Sequence, residues 1–79
     1  MISREEIENL LAEVRRRRTE AEGEAGHAAE RLARLVSGMT PLEEVDTEQV
    51  RATADTFADA VDRLAACTAF ARDLRRLLI

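Results

Sequence analysis

Along the first half of the chain, apolar side chains recur at alternating spacings of four and three. Ile7, Leu11, Val14, Ala21, Ala25, Ala28, Leu32 and Leu35 follow this rule, and only Arg18 interrupts it. Such spacing returns to one side of an α-helix every two turns, so it marks a narrow seam suited to a second helix. A strand would alternate by two instead. No proline breaks the run, because the only proline is Pro41. Alanine, leucine, glutamate and arginine dominate, all good helix formers. The chain is therefore expected to be all-α.

Local chemistry marks where the helices begin and end. Ser3 and Glu6 have capping-box spacing, with Ile2 and Ile7 placed as a hydrophobic staple. Glu5, Glu6 and Glu8 put negative charge at the positive end of the helix dipole. Ser37-Gly38 is a stop signal, Gly38 being free to adopt a left-handed conformation. Thr40-Pro41-Leu42-Glu43 is a second start signal that has room for one turn only. Asp46 and Gln49 then form another capping box, flanked by Val45 and Val50. The expectation is a two-helix antiparallel hairpin, helices at about 4–37 and 47–77, joined by a tight corner over 38–46. Gly23 and Gly26 each cost about 1 kcal/mol inside a helix, so a break there, giving a kinked or three-helix bundle, is the alternative.

The second helix opens with Val50, Ala54, Phe57, Val61 and Leu64 on one stripe. Folding about the corner pairs residues whose numbers sum to roughly 85, which sets Leu74 against Leu11 and Phe70 against Val14. It also sets Phe57 against the small patch at Gly26, Ala28 and Ala29, giving the glycines a packing reason. Beyond Leu64 the stripe widens. Leu10, Leu11, Val14, Leu64, Cys67, Phe70, Ala71, Leu74, Leu77 and Leu78 are the expected self-association surface, because two helices cannot cover so broad an apolar end. A 79-residue chain without a disulfide partner for Cys67 buries little surface alone. A homodimer forming an antiparallel four-helix bundle answers both demands. Charge supports that orientation. Residues 1–19 and 63–79 hold nine Arg against five acids, net +4, whereas residues 20–62 hold three Arg against eleven acids, net −8.

Candidate chemistry is sparse. Arg15, Arg16 and Arg17, with Arg72 and Arg76 from the second helix, could contact phosphates or an acidic partner. Four consecutive arginines circle a helix, however, and Glu13–Arg17, Arg16–Glu20 and Arg18–Glu22 can pair along it. Glu24 and His27 share a helix face at the spacing used by carboxylate metal proteins, a weak signal that occurs once. Cys67 lies on the apolar face with no basic partner in view and reads as a small core residue. No catalytic residues and no cofactor are expected. The reading is a non-catalytic helical interaction module that binds itself and a larger protein, with nucleic-acid binding and a Glu24–His27 metal site as alternatives. With no signal-peptide pattern and no membrane-length apolar run, it is expected to be soluble and cytoplasmic. All twelve basic residues are arginine, a usage typical of a GC-rich bacterial genome.

Overall fold

Ser3 starts the first helix as expected: its Oγ accepts from the Glu6 N–H at 3.1 Å. The computed structural model describes residues 2–38 and 41–79. Helix α1 spans Arg4–Leu35 without interruption, so the break at Gly23 and Gly26 does not occur. It ends slightly before the expected residue 37. Val36 caps it, its N–H donating to the Leu32 carbonyl. Gly38 does not supply a left-handed turn, since no described glycine has positive φ. The Thr40 cap lies outside the described residues. A single 3-10 turn at Leu42–Glu44 fills the corner, closed by the Glu44 N–H on the Pro41 carbonyl. Asp46 then caps α2, Thr47–Arg76, by accepting from the Gln49 N–H at 3.1 Å. Each cap satisfies an amide that the helix itself leaves open.

The two helices pack along their length as an antiparallel hairpin, 59 × 15 × 13 Å. The α1 seam runs where the 4-3 spacing put it. Ile7, Val14, Ala21, Ala25 and Ala28 are buried, and Leu11, Leu32 and Leu35 are half-buried. Arg18 points its head outward and pairs with Glu22. The α2 seam keeps the expected Ala71 and Leu74 at the open end but differs in phase from the expected stripe toward the corner. Thr53, Ala60, Ala71 and Leu74 are buried, whereas Phe57 and Val61 are exposed. Ala54 gives its expected place to Thr53, and Val61 gives its own to Ala60. The cause is size: close helix approach selects small side chains at the contact line, and larger neighbours are displaced to its edges. Ala60 is 0% exposed, and among the described residues no large side chain is fully buried.

The best-filled part of the core lies at the open end. Ile7, Val14, Ala71 and Leu74 form one cluster, with Leu11, Cys67 and Leu78 packed on it. Leu74 and Leu11 meet as the register predicted, but Ala71 rather than Phe70 fills the place beside Val14. Phe57 does not dock on the glycines. A Cβ added at Gly23 or Gly26 would meet nothing within 4 Å, so neither glycine serves close packing. Among the described residues no helix is long and apolar enough to cross a membrane.

Candidate interaction surfaces

A two-helix seam leaves each helix with two flanks, and in this hairpin the flanks differ in chemistry. One flank carries Leu10, Arg17, Glu24 and Arg31 from α1, seven residues apart. Gln49, Thr56, Arg63 and Phe70 answer from α2 at the same interval. All eight line a chain of shallow grooves along one side of the molecule. The opposite flank follows the buried α1 positions by one residue: Arg15, Glu22, Ala29 and Val36. From α2 it holds Val50, Ala54, Phe57, Val61 and Leu64, none of which borders these three grooves.

The grooved flank has three zones. At the open end Leu10, Ala66 and Phe70 border one groove together with Val14 and Cys67. The middle is an ion-pair lattice. Glu13 accepts from Arg16 and, at 3.0 Å, from Arg17, while Arg16 also reaches Glu20 at 2.6 Å. Those hydrogen bonds, first from Arg16 and then from Arg17, lower the Glu13 carboxyl from an ordinary 4.5 to about 2. Arg63 crosses the seam to bond Glu24, holding that carboxyl below its usual range. It is the one ion pair between α1 and α2 among the described residues, and it pins the register at this level. Toward the corner, a groove of ≈ 770 Å³ is lined by Glu20, Gly23, His27, Arg31, Gln49 and Thr56, among others.

The expected association set is divided by the hairpin. Val14, Ala71 and Leu74 are buried within the chain, and Leu11, Cys67 and Leu78 pack against them. Leu64 is half-buried. Leu10, Phe70 and Leu77 remain exposed, at 36%, 47% and 60%. Phe57, Val61 and Val36 are exposed on the other flank, at 37%, 41% and 52%. Sequence reasoning had Phe57 and Val61 facing inward and did not pick out Val36. The available signal was the pair Thr53 and Ala60, small residues seven apart, each one position before a residue of the expected stripe.

The arginine run is mostly engaged. The three expected helical pairs, Glu13–Arg17, Arg16–Glu20 and Arg18–Glu22, all form. Arg72 and Arg76 both approach Asp73, at 3.8 Å. Arg15 makes no ion pair among the described residues. Glu24 is held by Arg63, and His27 stands exposed beside it. No group of three or more His, Cys, Asp or Glu among the described residues is placed to hold a metal ion. Cys67 and His27 border different grooves. Compared with known proteins, the chain matches no family model, no curated protein and no solved structure.

Proposed function

We propose that this chain is a non-catalytic helical interaction module that self-associates and in that form serves a larger protein. One observation carries the reading. The hairpin exposes 6191 Å², whereas a compact monomer of its 8.8 kDa mass exposes about 4,800 Å². Its radius of gyration is 17.8 Å, against about 12 Å for a compact domain of this length. The surplus surface includes Leu10, Phe57, Val61, Phe70 and Leu77, while alanine supplies five of the eight buried apolar positions among the described residues. Alanine burial contributes little hydrophobic free energy, and fully covering a Leu or Phe contributes about 1.5–3 kcal/mol. A second layer of helices supplies what the seam lacks.

Phosphate binding by the arginine run is less favoured, because Arg16, Arg17 and Arg18 already have carboxylate partners. A metal site at Glu24 and His27 is less favoured for the same reason, since Arg63 engages Glu24. Sedimentation equilibrium in the micromolar range is expected to give twice the chain mass, with a melting temperature that rises with protein concentration. A cooperatively melting species of single-chain mass, insensitive to concentration, would contradict the proposal.

A further inference from the structure

Resting on the self-association reading, we infer that the second copy seats antiparallel on the flank opposite the three grooves, with the two-fold axis passing at Val61. This is not the open-end surface that the sequence favoured, and four features support it. First, the α2 side of this flank is apolar over Val50, Ala54, Phe57, Val61 and Leu64, with Phe57 and Val61 exposed, whereas the α2 side of the grooved flank carries Arg63, bridged to Glu24. Second, Val61 lies at the midpoint of α2, Thr47–Arg76. An isologous contact is symmetric about its axis, so an apolar centre at mid-length lets both hairpins overlap along their whole length.

Third, the overlap has suitable size. A face of 59 × 15 Å has an outline of at most roughly 900 Å² per chain, enough to accommodate the ~800 Å² that each partner buries in a standard stable interface. Fourth, charge selects the direction. The open half carries +4 and the corner half −8, from the counts of Arg against Asp and Glu in each half. Antiparallel seating lays each positive half on a negative one, with Asp46 and Glu48 of one copy at the level of Arg75 and Arg76 of the other. Parallel seating would stack like on like. On α1 this face carries Arg15 and Glu22, the latter neutralised by Arg18. Ala29 and Val36 continue its apolar surface toward the corner.

Single-cysteine variants on a Cys67→Ala background, treated with a short bis-maleimide, test the assignment. Val61→Cys is expected to link most of the protein into dimers, and Phe70→Cys almost none. Val50→Cys alone should stay unlinked, while an equal mixture of Val50→Cys and Arg72→Cys should give the mixed dimer. Efficient linking at Phe70→Cys but not at Val61→Cys, in protein that sediments as a dimer, overturns the face and leaves self-association standing. Self-linking at Val50→Cys overturns the antiparallel direction. A single-chain mass for all variants and for the parent removes both claims.

Discussion

Replacing Gly23 and Gly26 by alanine should stabilise this protein. Both glycines lie inside the uninterrupted helix Arg4–Leu35, with ordinary helical backbone and no positive φ. A methyl group at either would meet nothing within 4 Å, so no steric cost opposes the change. What remains is the helix-propensity difference, about 1 kcal/mol in favour of alanine at each site. The two sites are one turn apart on the same helix, so the propensity gains sum to at most about 2 kcal/mol. A domain of this size shifts by about 4–8 °C per kcal/mol, so each single variant should melt about 4–8 °C higher and the double variant higher still. Circular dichroism melts at one fixed protein concentration, with urea midpoints as a check, measure this directly. A single variant that melts below the parent would refute the reasoning. It would mean that something, whether the second helix or another chain, approaches the glycine backbone too closely for a side chain.

Ala60→Leu should lose about 1–3 kcal/mol, because a fully buried seam position has no room for the extra carbons, whereas Ala58→Leu, on the exposed side, should stay within about 0.5 kcal/mol of the parent; paired urea titrations decide it. Ser3→Ala and Asp46→Ala should each cost about 1 kcal/mol by removing the caps on Glu6 and Gln49, and a Ser3→Asp variant that recovers the loss would identify capping as the cause. Glu13 has a depressed folded value of about 2, so its contribution is present above the ordinary carboxylate range and lost as pH falls through the folded value. The stability difference between the parent and Glu13→Gln should therefore be constant near neutrality and shrink below pH 4.5 toward about 2. It should also shrink in high salt.

Features governed by neighbours in sequence were legible before any coordinates. Ser3 and Asp46 announce helix starts because a side-chain oxygen three residues ahead of an open amide can hardly serve otherwise. The α1 seam was equally legible, because its large residues Ile7, Leu11 and Val14 fix the phase and the alanines follow. The corner half of the α2 seam was not. There the bulkiest side chains, Phe57 and Val61, sit beside the contact line, and Thr53 and Ala60 sit on it. A reading that ranks positions by hydrophobicity selects the wrong neighbours when close approach favours small ones. The glycines misled for a related reason: a residue without a side chain leaves no pattern to show whether it faces inward or outward. At the surface, the pairing of the arginine run followed from i,i+4 spacing, but the Glu24–Arg63 bridge needed the three-dimensional register.

The alanine-lined seam also changes what a mutational scan would measure. In most small domains, trimming a bulky apolar residue empties a cavity and unfolds the chain. Here Phe57, Val61, Phe70 and Leu77 stand outside the contact line, so trimming them should leave the hairpin's own geometry nearly intact. Losses at Phe57 and Val61 would register as weaker company between molecules, whereas losses at the inconspicuous alanines would register as failure of the fold itself.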